Sequence, residues 1–300
     1  MTVEVRGIFC VVGADGFLGS YFIRHILQNS DEKIIALNHK EAAFPDSKQL
    51  TNMIFELSDE ESIKKAAALL SGFRDIRILF LASVHNPDII KKDPDNALYI
   101  NTVCYNRFLE SIKDLDIKKL YYASSDTVYG ESIDGYSFTE NDTPAPVNIY
   151  GEQKLGAEKI TLKHGFSVIR YSALCGVSLT SRKNHFCDMV VNSVSEGKEF
   201  FLLTDWRRPA LSYKDAADIT YRLFGTDIEE KIINICSDRI YSKYEIGIKL
   251  CEHGNFNKQL LIPATKEELG VFTEKRADDI YMDNSLIKSL LRIDSLELKF

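Results

Sequence analysis

The chain contains no apolar run approaching the ~20 residues that a membrane span requires, so no transmembrane segment is expected. Its first residues, Met1-Thr2-Val3-Glu4-Val5-Arg6, lack the basic-then-apolar order of a secretory signal, and a cytoplasmic protein is the expectation. No C-x-x-C pair occurs among the six cysteines, at positions 10, 104, 175, 187, 236 and 251. Scattered in this way they predict buried or free thiols rather than disulfides or a zinc site, and no metal is expected. Basic residues are not in excess. A net charge of -7 argues against a nucleic-acid coat, although a small anionic ligand needs only local positive charge. Internal repeats and low-complexity linkers are also missing, so the 300 residues read as one large domain or two moderate ones with ample core.

What is present begins with Gly7–Val12, a short apolar, β-rich run that predicts a buried parallel strand. Gly13-Ala14-Asp15-Gly16-Phe17-Leu18-Gly19 follows at once, and a helical pattern runs from there to about Gln28. Glycines let the backbone turn sharply and approach a pyrophosphate, and the helix N-terminus presents free N–H groups to it. Lys33–Leu37 predicts a second strand, ending in Asn38-His39-Lys40. A carboxylate that would take the ribose 2′-hydroxyl of NAD is missing there. His39 and Lys40 either hold the 2′-phosphate of NADP or form an ordinary solvated loop. Met53–Leu57 predicts a third strand, and Ser58-Asp59 caps a helix to about Leu70. Ile76–Ala82 predicts a fourth strand, whose end at Ala82-Ser83-Val84-His85 falls where doubly wound sheets bind ligands. His85 there is either a substrate contact or a surface residue. Asp93-Pro94 opens a long helix through Lys113 that carries Asn101, and Leu120–Ala123 predicts a fifth strand.

That strand runs into Ser124-Ser125-Asp126-Thr127-Val128-Tyr129-Gly130. Further on, Tyr150 and Lys154 stand four residues apart, one helical turn from each other. A neighbouring ammonium favours a phenolate, so the pair can exchange a proton as hydride chemistry at a carbonyl requires.

Taken together, Gly13-x-x-Gly16-x-x-Gly19, Asp93-Pro94 with Asn101, Ser124-Ser125-x-x-Val128-Tyr129-Gly130 and Tyr150-x-x-x-Lys154 resemble the extended short-chain dehydrogenases/reductases. These are the nucleotide-sugar epimerases, dehydratases and reductases. Arg208 to Asp215, Asn234-Ile235-Cys236-Ser237, Arg276 to Asp279 and Asp283-Asn284-Ser285 extend the resemblance over nearly the whole chain, with Cys236 where glycine is usual. The resemblance implies an α/β fold, a Rossmann-type doubly wound parallel sheet with a smaller C-terminal substrate-binding lobe. The dinucleotide domain would span 1–176, with 206–240 returning to it, and the lobe 177–205 and 241–300.

By the same resemblance, Ser125, Tyr150 and Lys154 are catalytic. Gly13, Asp15, Gly16, Phe17, Leu18, Leu57, Leu81, Ala82 and Ser83 surround NADP or NAD, with Asn38, His39 and Lys40 at its ribose. His85, Asp126, Thr127, Arg208 and Arg276 face a nucleotide-diphosphate sugar, the arginines at its diphosphate. Trp206 either stacks on the nucleobase or is core. Many members of that family pair through two helices, so a homodimer is the implied assembly.

The reaction is less sharply marked. Asp126 is followed by Thr127 and not by the Glu of a 4,6-dehydratase. Ser172 after Arg170-Tyr171 resembles the dTDP-4-dehydrorhamnose reductase branch, whereas Val128-Tyr129-Gly130 has the epimerase form. Reduction of a 4-keto sugar nucleotide is the first expectation and 4-epimerisation the second. A non-catalytic dinucleotide sensor on the same fold is a third, which the intact Ser, Tyr and Lys oppose.

Overall fold

In the computed structural model the described residues are 6–180, 184–270, 272 and 274–300. The leader reading of residues 1–5, and positions 181–183 of the expected lobe, lie outside them.

Seven parallel strands form the central sheet: β1 Arg6–Val12, β2 Lys33–Asn38, β3 Leu50–Ile54, β4 Arg74–Phe80, β5 Ile117–Ser125, β6 Ser167–Tyr171 and β7 Ile232–Ile235. Their spatial order is β7-β6-β5-β4-β1-β2-β3. The strand order reverses between β1 and β4, and doubly wound sheets hold ligands at the carboxyl ends of such a pair. The fold is therefore the doubly wound α/β architecture expected from the sequence.

Side chains alternate across the sheet, as the two-residue period of a strand dictates. Phe9 and Val11 of β1 join a core with Phe22, Ile26 and Phe224, from the helices Phe17–Asn29 and Tyr213–Phe224. Ile8, Cys10 and Val12 join the opposite core, with Ile63, Phe80, Tyr105, Phe108 and Ala157. A third core lies away from the sheet. It gathers Cys187, Val190, Leu202, Tyr241, Ile246, Leu250 and Leu261 between the helices Phe186–Ser195 and Lys243–Gly254 and the paired strands Phe200–Leu203 and Leu261–Ala264. Arg207–Ser212 is outside the main sheet and pairs with Ala173–Cys175 and Ile240–Ser242. All six cysteines are buried and free. Among the described residues no helix is long and apolar enough to cross a membrane.

Two elements differ from the sequence reading. The third strand is Leu50–Ile54 rather than Met53–Leu57, because β2 ends at Asn38 and pairs no further than Ile54. Phe55 and Leu57 stay buried in the turn that follows, which is what extended the apolar alternation. The long helix from Asp93 is also more complex. Pro87–Lys92 forms a separate helix before it, capped by Asn86, whose side chain accepts from the amides of Asp88 and Ile89. After Pro94–Leu98 the chain widens into a π-helical turn over Tyr99–Cys104 and then continues as Tyr105–Ile112. Such turns concentrate at functional positions. This one carries Asn101, whose amide donates to Val84 O (2.9 Å) and to Gln153 Oε1 (2.8 Å), while its Oδ1 accepts from Val84 N (2.8 Å). The buried amide thereby ties the loop after β4 to the helix that carries Tyr150.

Candidate active site

One cavity of about 1120 Å³ opens at the carboxyl ends of β1, β4 and β5 and extends to the third core. At one end lies the glycine turn. Gly13 has φ +83, and a Cβ there would stand 3.0 Å from Ala82 N, so a side chain is both strained and crowded. Gly13 N and Ala14 N donate to Leu37 O at 3.0 and 3.1 Å, which pins the turn to β2. A Cβ on Gly19 would stand 2.5 Å from Gly13 O, so only glycine lets the helix Phe17–Asn29 lie this close behind the turn. That helix has no side-chain cap at its N-terminus and no acid in its first turn. Its first turn faces the cavity through Phe17 and Leu18, whose N–H groups are a fit for a pyrophosphate.

Ser125, Tyr150 and Lys154 meet on one wall. Ser125 ends β5, and Tyr150 and Lys154 lie on the helix Ile149–Lys163. Asn148 starts that helix by accepting from Gly151 N at 2.9 Å. A Cβ on Gly151 would stand 2.6 Å from Thr127 O and 2.7 Å from Pro146 Cβ. Glycine therefore lets the helix press against the Ser125 turn. Gly151→Ala is expected to cost about 1–3 kcal/mol through overpacking, read by denaturant unfolding. An unchanged midpoint would mean that the contact has slack.

Ser125 Oγ donates to Asp126 Oδ1 at 2.9 Å and stands beside the Tyr150 phenol. Burial raises the phenol above its ordinary value and the Asp126 charge adds to this, while the Ser125 hydroxyl opposes it. Tyr150 thus stays protonated at neutral pH in the protein alone. Lys154 is 5 % exposed; its Nζ donates to Ala123 O at 2.8 Å and lies 5.9 Å from the Tyr150 ring centre. Burial pulls its ammonium down to about 7, against the favourable charge of Glu158 one turn further on. Glu158 is buried and takes a bidentate pair from Arg170, Nε at 2.9 Å and a terminal nitrogen at 2.7 Å. Ser124 Oγ adds a third bond at 2.5 Å.

Most residues named for the cofactor border this cavity: Gly13, Asp15, Gly16, Phe17, Leu18, His39, Leu57, Leu81, Ala82 and Ser83. Asn38 does not. It is fully buried, and its amide donates to Ala36 O and Asn52 Oδ1, sealed between β2 and β3. Lys40 is exposed and stands outside the cavity wall. His39 is joined to Glu56 (2.9 Å), and its backbone amide donates to Asp15 Oδ1 (3.1 Å).

Of the residues named for substrate, His85 borders the cavity and the other four do not. Asp126 is buried against Arg208 at 3.3 Å, and burial pushes its carboxyl up against that opposing charge. Thr127 turns its Oγ1 into the interior, where it has no partner. Arg208 is 3 % exposed and spends its terminal nitrogens on the carbonyl oxygens of Arg207, Ala277 and Asp278. Arg276 is paired with Asp88 at 2.5 Å. A motif match identifies such an arginine in sequence, but not which way its side chain is already committed. The sequence reading did not name the Glu158–Arg170 pair, although Glu158 lies on the Lys154 face at i+4. Glu56, Phe186 and Lys243, also on the cavity wall, carried no signal.

A family model described as the NAD dependent epimerase/dehydratase family matches residues 9–236. The chain belongs to that family. Within it, the chain is 29% identical over 250 residues to GDP-6-deoxy-D-talose 4-dehydrogenase of Aggregatibacter actinomycetemcomitans, covering 81% of this chain and 78% of that one. It is 24% identical over 269 residues to methionine adenosyltransferase 2 subunit beta of Xenopus tropicalis, covering 87% and 76%. A dTDP-4-dehydrorhamnose reductase from Bacillus anthracis, solved in complex with NADP, superposes with a TM-score of 0.78 at 19% identity, covering 98% of this chain and 95% of that one. The epimerase/dehydratase family is NAD(P)-dependent and modifies nucleotide sugars, and the Rossmann-type fold is shared throughout.

Proposed function

We propose that the protein reduces the C4 ketone of a nucleotide-diphosphate sugar, using Ser125, Tyr150 and Lys154. The observation that carries this is the meeting of a protonated phenol, a serine hydroxyl and a buried ammonium on one wall of the cavity that also holds the open helix N-terminus. The nicotinamide, when bound, supplies the hydride. Tyr150 donates the proton to the forming alkoxide, Ser125 hydrogen-bonds the same oxygen, and the Lys154 charge offsets the negative charge left on Tyr150. The family resemblance to GDP-6-deoxy-D-talose 4-dehydrogenase supports redox chemistry at C4.

At the adenosine end, Asp15 and Glu56 stand with His39. Carboxylates accept ribose hydroxyls and repel a 2′-phosphate, so NADH is the favoured reductant over NADPH. Tyr129 is buried, with its phenol 2.8 Å from Asn234 Oδ1 and 2.9 Å from Thr139 O, and it does not border the cavity.

The pH dependence follows from Lys154. Its ammonium, at about 7 in the free protein, is charged below that pH and lost above it. The kcat/KM for ketone reduction is therefore expected to be flat below about pH 7 and to fall by about tenfold per unit above it, since this ratio reports the free enzyme. A ratio that rises through the same window would contradict the assigned role.

Mass spectrometry of dinucleotide released from freshly purified, denatured protein tests the reading. An empty site that binds NADH reversibly supports a reductase. Stoichiometric, non-exchanging NAD would overturn it in favour of epimerisation, in which the cofactor is recycled within each turnover. The relation to methionine adenosyltransferase 2 subunit beta, named as a subunit, favours a second reading, a non-catalytic dinucleotide sensor. Reversible NADH binding without turnover of any nucleotide sugar would establish it.

A further inference from the structure

The part of the cavity wall built by the third core includes Phe186, Trp206, Lys243 and Ile246. Lys243 Nζ lies 5.1 Å from the Trp206 ring centre, 5.6 Å from that of Phe186 and 5.5 Å from that of Phe272. The opposing arginines join the same rings: Arg208 Cζ lies 4.7 Å from Trp206, and Arg276 Cζ 4.1 Å from Phe272. Three cations are thus interleaved with aromatic faces. Two of them have carboxylates, Asp126 for Arg208 and Asp88 for Arg276. Among the described residues, no carboxylate pairs with Lys243 and no acceptor hydrogen-bonds its Nζ.

Aromatic faces attract a cation, but they accept none of the three N–H bonds that an ammonium donates in water. Burial, with Arg276 and Arg208 beside it, pulls Lys243 down to about 8, while Cys175 opposes the shift. It still carries its charge at neutral pH. The cluster therefore holds one more positive charge than it neutralises, at the cavity surface, with donors free. An anion with several oxygens completes it.

We propose that Lys243 is the cation that binds the substrate's diphosphate, in place of the two arginines that the motifs single out. This rests on the nucleotide-sugar reading above. The arginines brace the wall: Arg208 is locked to three carbonyl oxygens and Asp126, and Arg276 is paired with Asp88 through one terminal nitrogen, its Nε buried without a partner.

Calorimetric titration of dTDP and UDP into wild type, Lys243→Met and Lys243→Arg tests this, with thermal melting and NADH affinity as controls of folding. At pH 7, Lys243→Met is expected to weaken both diphosphates by about tenfold or more, the scale of one lost charge-assisted contact, with NADH affinity and thymidine binding unchanged. Lys243→Arg should restore most of the affinity. Between pH 7 and 9 the wild type should lose about tenfold as Lys243 deprotonates, because the last proton of a phosphate leaves near pH ~6. Lys243→Arg keeps its charge and should lose little, which separates Lys243 from Cys175, Cys187 and His185 nearby. Equal binding by wild type and Lys243→Met, or no binding of either diphosphate by the wild type, overturns the proposal. Lys243-dependent binding without reduction of any keto sugar would leave it standing and remove the reductase reading instead.

Discussion

Tyr150→Phe is expected to lower kcat for ketone reduction by about 10²–10⁴-fold while leaving NADH affinity within about twofold, the range that one positioned acid contributes. The change removes a single oxygen. The ring keeps its place on the helix Ile149–Lys163, and Lys154 keeps its bond to Ala123 O. What is lost is the proton held where the alkoxide forms. Ser125 does not replace it, because its one proton is directed to Asp126 Oδ1 in the protein alone. Single-turnover measurement at saturating NADH reads the chemical step directly. A Tyr150→Phe protein that turns over at the wild-type rate would remove Tyr150 from the mechanism.

Glu158→Gln carries the largest expected effect on stability. The Glu158 and Arg170 side chains are each only 2 % exposed. Neutralising the carboxylate leaves a guanidinium charge in the core with no counter-charge, and breaking one side of a buried pair costs about 3–5 kcal/mol. The double variant Glu158→Leu/Arg170→Met should recover most of that loss, because it removes the charge as well as its partner. The same substitution reaches the active site. Glu158 is the charge that opposes the downward shift of Lys154, so its removal should move the fall in kcat/KM to a pH below about 7. Denaturant unfolding within about 1 kcal/mol of wild type, or an unmoved pH profile, would show that the pair is not coupled in this way.

Much of the fold was legible because the sheet is buried on both faces. Its strands read as apolar runs, and the family resemblance supplied the doubly wound arrangement. The wall that gathers Ser125, Tyr150 and Lys154 was legible for a related reason: Tyr150 and Lys154 lie within one helical turn, and Ser125 lies at a strand end. The third strand was misplaced because Phe55 and Leu57 remain buried after pairing has stopped. The substrate side was the least legible. Arg208, Arg276, Asp126 and Asp88 are far apart in sequence and neutralise one another in space, which no motif records. Asn38 was expected at the cofactor's ribose, yet its side chain is taken by Asn52 of the neighbouring strand. Lys243 is an ordinary lysine in sequence and gains its character only from Trp206, Phe186 and Phe272 around it.

The central claim is that this cavity passes a hydride from cofactor to sugar and protonates the product from Tyr150. The most direct test supplies NADH carrying deuterium at both C4 positions with a nucleotide-linked 4-keto hexose, and weighs the sugar product by mass spectrometry. One deuterium at C4 of the sugar is expected for each cofactor oxidised, with the rate of labelling lowered by about 10²–10⁴-fold in Tyr150→Phe. An unlabelled epimer, or a sugar recovered unchanged beside intact NADH, would contradict it.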